Sequence, residues 1–366
     1  MPCNPHFPTP EMFAQLAAGL EGALKRQPGD AAAVTAQLAR ALRLNPATVV
    51  VANGSTELVT WLDQLWVTES VAVPVPTASR WIDRPMDSGK RVDLFPLREQ
   101  DAFELDVDRY LAFIRARGSR AAVLRNPNDP DGGYVPRREV LRFLDELADL
   151  DLVVVDETSI EVVDTEHNPS VAAEAALRPN VAVVASPGTS LGLPGARFGY
   201  LVANPALAAT VRRALPRWNV NGLAEALLGL LAQHRPAYRE SLRLVARDRF
   251  AMGVELARIP ELGVYSSQAD VLLVRLADDV DGAELREHLW SRHGVLVHDC
   301  ADQLGLSSQF LRLVVRPAPD VARLTEGIRT FLLARRPRRE RRDPASAQLS
   351  AIPRPRPRPD LRPSSR

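Results

Sequence analysis

A chain of 366 residues, 46% apolar and 25% charged, has the composition of a soluble globular protein of about two domains. No run approaches the roughly 20 apolar residues of a membrane helix, Met1-Pro2-Cys3-Asn4 does not open a signal peptide, and Cys3 and Cys300 are too few for a disulfide framework or metal site, so the cytoplasm is expected. The net charge of +1 combines about −7 in the body with +8 from Arg335 onward, where eleven arginines face Glu340, Asp343 and Asp360.

In chain order, residues 1–29 read as an N-terminal arm and helix. Between 30 and 245, short β-branched runs alternate with helical patterns, which predicts an α/β domain with a mostly parallel sheet. The expected strands are 48–52, 71–75, 91–95, 121–124, 152–155, 182–185 and 198–202. Amphipathic helices are expected over 57–66 and 137–150, the second from Val140, Leu141, Leu144, Leu147 and Ala148 at helical spacing. Helical patterning then runs from 222 to 259. A smaller α+β domain over 246–334 is expected to hold strands 271–274, 295–297 and 311–315 and helices 282–291 and 319–334. Residues 335–366, with Pro353-Arg354-Pro355-Arg356-Pro357-Arg358-Pro359, read as a disordered arm that either holds a polyanion such as nucleic acid weakly or has no role. There is no internal repeat.

In open α/β sheets ligands bind beyond the carboxyl ends of the strands. The segments with chemistry to offer all lie there. Gly54-Ser55-Thr56 opens a helix after the first strand, a place suited either to a phosphate or to plain helix capping. Pro76-Thr77-Ala78 follows the second strand, and the turn-rich Asn126-Pro127-Asn128-Asp129-Pro130-Asp131-Gly132-Gly133 follows the fourth. Asp156 ends a buried strand, where a carboxylate needs a partner: an arginine, a backbone N–H or a heterocyclic nitrogen. Ser186 to Thr189 follow the sixth. Neither a Gly-x-Gly-x-x-Gly nor a Gly-x4-Gly-Lys motif occurs, which excludes dinucleotide and P-loop readings.

In this order and spacing the pieces resemble the histidinol-phosphate aminotransferase and threonine-phosphate decarboxylase branch of the fold-type I pyridoxal-phosphate (PLP) aminotransferases. The resemblance runs from Asn4 to about Ala334 and includes Gly192-Leu193-Pro194-Gly195-Ala196-Arg197-Phe198-Gly199-Tyr200 and Phe310-Leu311-Arg312-Leu313-Val314-Val315-Arg316-Pro317. It implies a three-layer large domain of the PLP-transferase type, a smaller C-terminal domain, and a dimer with sites at the interface. It also implies that Asp156 faces the pyridine nitrogen, that Gly54, Ser55, Thr56, Ser186 and Arg197 hold the phosphate, and that Asn4, Arg312 and Arg316 meet the substrate, Arg312 through its carboxylate. For Arg197 and Arg312, ordinary surface or ion-pair arginine is the competing reading in a chain with 44 arginines.

The departures surround the place of the PLP ring. Thr189 stands where the family has the lysine whose amine forms the Schiff base. Asp129 stands at an asparagine that donates to the ring, Ser159 at a tyrosine with the same target, and Gln27 at a partner-subunit tyrosine. Ala78 stands at a stacking aromatic, for which Trp81 is a candidate substitute. The only lysines, Lys25 and Lys90, are not placed like the family's, and His6 is the best-placed histidine for a proton shuttle. The expectation is an aminotransferase-like protein with a retained anion pocket and no conventional transamination. It would bind PLP or pyridoxamine 5'-phosphate weakly and non-covalently, or neither, as a homodimer or beside an active paralogue. The alternative is an enzyme acting on an amino acid by a lysine-independent PLP route.

Overall fold

The computed structural model describes residues 3–335. The arm expected over 335–366, and any hold on nucleic acid through it, lies outside the described residues except for Arg335. A seven-stranded sheet is built from β1 (Val49–Ala52), β2 (Ser70–Val75), β3 (Arg91–Pro96), β4 (Ala121–Arg125), β5 (Leu152–Asp156), β6 (Val181–Ala185) and β7 (Gly199–Ala203). Its order is β1-β7-β6-β5-β4-β2-β3, parallel except for β7, which runs antiparallel to both β1 and β6.

Residue alternation in the strands divides the core into two layers. Val49, Val51, Val153, Val155, Val181 and Val183 pack on one face with Tyr110, Phe143 and Leu144 from helices Val107–Arg117 and Arg137–Glu146. Val50, Ala52, Val71, Val73, Val154 and Val184 pack on the other with Leu58, Leu62 and Leu207 from Ser55–Trp66 and Pro205–Ala214. A strand buried on both faces needs a continuous apolar run, which these short valine-rich segments supply. The fold is therefore the expected three-layer α/β arrangement.

A second sheet, β10-β11-β9-β8, is antiparallel and comprises β8 (Leu262–Val264), β9 (Val271–Leu276), β10 (His298–Asp299) and β11 (Phe310–Val314). Helices Gly282–His293 and Ala318–Arg335 pack together beside it. Residues 295–297 are not a strand. Gly294 ends the preceding helix in the left-handed conformation, and the Val295 N–H returns to the Leu289 carbonyl, so this stretch is spent leaving the helix. The helical pattern over 222–259 divides into Gly222–Leu231 and Arg235–Ala257, because Pro236 has no N–H to continue a helix. The helix expected over 137–150 stops at Glu146, with Leu147 and Leu150 buried in the turn that follows. Helix Arg235–Ala257 runs across residues 245 and 246 into the smaller sheet's layer. Among the described residues no helix is long and apolar enough to cross a membrane.

Candidate functional site

The carboxyl ends of β1, β2, β4, β5 and β6 open onto a cavity of about 250 Å3, to which the smaller domain contributes Asp270 and Arg312. Ser55, Thr56, Asp129, Ser159, Ser186, Thr189, Arg197 and Arg312 line it, as expected together. Arg80, Arg125, Thr158 and Asp270 line it too, and these were not singled out from the sequence.

At one end lies the turn after β1. Gly54 is the N-cap of helix Ser55–Trp66 with φ +84°, and no side chain caps that helix. Its first N–H groups are thus left for an incoming acceptor, which favours the phosphate reading over plain capping. Arg197 reaches across this turn: its Nη2 is 3.4 Å from Thr56 Oγ1, and a Cβ on Gly54 would meet Nη2 at 2.6 Å. Ser186 Oγ lies 3.5 Å from the Phe198 carbonyl. Among the described residues Arg197 has no carboxylate partner. Its own backbone is left-handed, with φ 51° and ψ 59°, an unusual setting for a non-glycine residue. Arg197→Gly is therefore expected to leave stability unchanged or raise it by about 1 kcal/mol, while phosphate binding is lost. Urea unfolding and a phosphate titration of the variant check this.

The other end is occupied by the protein's own charges. Asp156 is fully buried, and each carboxylate oxygen receives two donors. Arg80 Nη2 and Trp81 Nε1 reach Oδ2 at 2.6 and 2.8 Å, while the Thr158 hydroxyl and N–H reach Oδ1 at 2.5 and 3.1 Å. Trp81 is thus a buried donor and not the stacking ring considered for it. Burial alone would push the Asp156 carboxyl up, but Arg80 and Arg125 together with these hydrogen bonds hold it far below the usual carboxylate range. Arg312, expected to clamp a substrate carboxylate, is instead engaged by Asp129 through Nε at 2.5 Å and Nη2 at 2.8 Å, with Arg125 at 3.2 Å on the same acid. Burial opposes ionisation of Asp129 also, and Arg125, Arg312 and Arg80 reverse it, so its carboxyl is lowered.

The loop that carries Asp129 is fixed by its own side chains. Asn126 Nδ2 donates to the Val135 carbonyl at 2.9 Å and its Oδ1 accepts the Val135 N–H at 2.8 Å. Asn128 bonds the Pro76 carbonyl, Thr77 Oγ1 and Asp131. Beside the pocket, Ser159 Oγ donates to Asp270 at 3.3 Å. Neighbouring Glu157 is buried behind β5, accepting from Ser170 Oγ at 2.6 Å and from the Val171 N–H at 2.7 Å. Burial pushes it up to about 7 despite these bonds. An acid whose folded pKa is raised stabilises the fold below its unfolded value, and that contribution is lost as pH rises through the folded value. Stability should therefore fall by about 3 kcal/mol between about pH 4.5 and about pH 7 on account of Glu157. Glu157→Gln, whose Oε1 can still accept the Val171 N–H while its Nε2 donates to Ser170 Oγ, is expected to remove that slope in unfolding measured across this range.

Four expected residues lie outside the cavity wall. Asp156 sits behind Arg80, and Gly54 beneath Arg197. Asn4 supports the segment bearing Thr189: its N–H meets the Thr189 carbonyl at 2.9 Å, and its Nδ2 meets Ser190 O and Ser241 Oγ, both at 2.8 Å. Arg316 lines a separate cavity of about 920 Å3 on the smaller domain, shared with Arg312. His6 is held by Asp248 at 2.7 Å, away from the pocket. Neither lysine lines the pocket. Lys25 pairs with Glu21 on an exposed helix face, and Lys90 bonds Asp63 at the amino end of β3.

The matching family model, Aminotransferase class I and II, covers residues 15–331. The chain belongs to this family. The chain is 34% identical over 331 residues to the uncharacterized protein y4rO of Sinorhizobium fredii, covering 89% of this chain and 53% of that protein. It is 31% identical over 302 residues to the CMP-5'-(3-aminopropyl)phosphonate synthase of Streptomyces rubellomurinus, covering 81% of this chain and 47% of that protein. It thus spans about half the length of these two curated relatives. Its fold matches a decarboxylase from Sulfurospirillum multivorans with a TM-score of 0.80 at 24% identity, over 86% of this chain and 81% of that one. It also matches a histidinol-phosphate aminotransferase from Sinorhizobium meliloti, solved with pyridoxal-5'-phosphate, with a TM-score of 0.76 at 21% identity, over 89% and 88%. The family is PLP-dependent, but the pocket in this chain does not fit a Schiff-base-held pyridine. No lysine lines it, the four acceptor positions of Asp156 are filled, and Asp129 is spent on Arg312.

Proposed function

We propose that this chain is an anion-binding member of the aminotransferase family that does not carry out lysine-dependent transamination. Thr189 stands in place of the Schiff-base lysine, and PLP or its amine form binds weakly or not at all. The observation that carries this reading is the absence of any lysine from the walls of the pocket, coupled with an exposed Arg197 over an uncapped helix start. The ligand is a small molecule bearing a phosphate or phosphonate. Supporting this, the synthase and the histidinol-phosphate aminotransferase are both named for compounds of that kind. The protein acts as an accessory or atypical member of a biosynthetic pathway. It pairs with a second copy or a lysine-bearing paralogue, for which Phe13, Leu20 and Leu24, exposed on helix Pro10–Lys25, offer an apolar face.

The test is to mix the purified protein with PLP, record the visible spectrum, reduce with borohydride and search for an adduct by mass spectrometry. The unmodified chain is expected. A stoichiometric adduct on Lys25 or Lys90 overturns the reading.

A further inference from the structure

Asp156 is fully buried, and its carboxylate has room for about four hydrogen bonds. All four are made within the chain, by Arg80, Trp81 and the two donors of Thr158. Trp81 and Thr158 are neutral, so Arg80 alone brings a contacting positive charge. A heterocyclic cation that approached Asp156 would be a fifth donor and would meet a guanidinium already in place. Arg80 also lines the cavity, beside Ala78, a residue too small to fill the space left by a stacking aromatic ring. Its backbone opens helix Arg80–Asp87, which fixes the root of the side chain at the end of β2.

The charge in the pocket points the same way. Arg80, Arg125 and Arg312 are matched by Asp156 and Asp129 in direct contacts, with Asp270 alongside. Arg197 is left over at the opposite end, so the remaining demand is for an anion there and not for a cation at Asp156. A cavity of about 250 Å3 lies just below the span of about 300–1,000 Å3 of drug-sized sites, which restricts the ligand to a small molecule.

We propose that Arg80 is a specificity-determining residue: its guanidinium occupies the Asp156 end of the pocket, so that the site takes a small phosphate- or phosphonate-bearing molecule without a cationic ring. This rests on the anion-binding reading above and adds to it the group that rejects a pyridinium.

The experiment compares wild type with Arg80→Ala, using inorganic phosphate and pyridoxamine 5'-phosphate as probes in calorimetry and thermal-shift titrations. Pyridoxamine 5'-phosphate has the pyridine ring and the phosphate but no aldehyde to react with lysines. Arg80→Ala is expected to bind it about tenfold or more tighter than wild type, with inorganic phosphate affinity unchanged within about threefold. Should Arg80→Ala fail to fold, Arg80→Gln keeps a donor for Asp156 while removing the charge, and a gain of about threefold or more is expected from it. Equal affinity for pyridoxamine 5'-phosphate in wild type and the folded variants overturns the role of Arg80. So does a parallel rise for both probes, because general loosening of the pocket then explains it. The two readings fail separately, since a reducible PLP adduct on wild type sinks the anion-binding reading, whereas equal probe affinities without an adduct sink only the role of Arg80.

Discussion

Asp156→Ala is expected to destabilise the fold by about 3–5 kcal/mol, the cost of stripping one partner from a buried ion pair. The side chain is fully buried, and it accepts from Arg80, Trp81 and Thr158. Its removal leaves the Arg80 guanidinium without its carboxylate and the Trp81 Nε1–H without an acceptor. Unfolding in urea at neutral pH measures the loss, and a change below about 1 kcal/mol would mean that Arg80 readily finds solvent. The pH dependence follows from the depressed pKa. The Asp156 contribution is fully present above the unfolded value of 3.8 and is lost as pH falls through the folded value, so the gap between wild type and variant should close in strong acid.

The second large effect concerns Thr189. Restoring an amine by Thr189→Lys is expected to trap little PLP on borohydride reduction, although residue 189 is in the pocket wall. Three other features stand against a pyridine ring: Arg80 on Asp156, Asp129 turned to Arg312, and Ala78 in place of a flat stacking surface. Combining Thr189→Lys with Arg80→Ala and Asp129→Asn is expected to raise the yield of adduct at position 189 by about tenfold or more over the single change. Mass spectrometry of the reduced protein reads both. An equal yield from the single variant would show that the amine was the sole element missing.

Much of the architecture could be read from the chain because each buried strand carries its own signal. Val181–Ala185 and residues 152–155 are apolar runs of the kind a doubly covered sheet carries, and the segments with chemistry follow such runs directly. The pattern misleads where a helix-end hydrogen bond or a proline stops an element that periodicity would continue, as at Val295, drawn back to Leu289, and at the break before Pro236. The short β8, with a glycine at its centre, has almost no pattern to detect.

In the site, positions were legible and pairings were not. A buried carboxylate at the end of β5 demanded a partner, and an arginine was one of the answers open to it. Nothing in a chain with 44 arginines marks Arg80 as that partner across 76 residues. Its place two residues beyond Ala78, at the carboxyl end of β2 and one strand removed from β5, was the available clue. Arg312 and Asp129 lie 183 residues apart, and their closure on each other depends on how the smaller sheet is set against the larger one. The resemblance supplied a substrate for Arg312, whereas the fold supplies Asp129.

On the proposed reading Thr189 is one part of a wider change. On that reading the end with Gly54, Ser55, Thr56 and Arg197 takes an anion, while the Asp156 end is closed by ion pairs within the chain. A calorimetric titration of wild type and Arg197→Gly with inorganic phosphate tests this division most directly. One phosphate site per chain in wild type, lost in the folded variant, is the predicted result. No binding to wild type, or undiminished binding to Arg197→Gly, would contradict it.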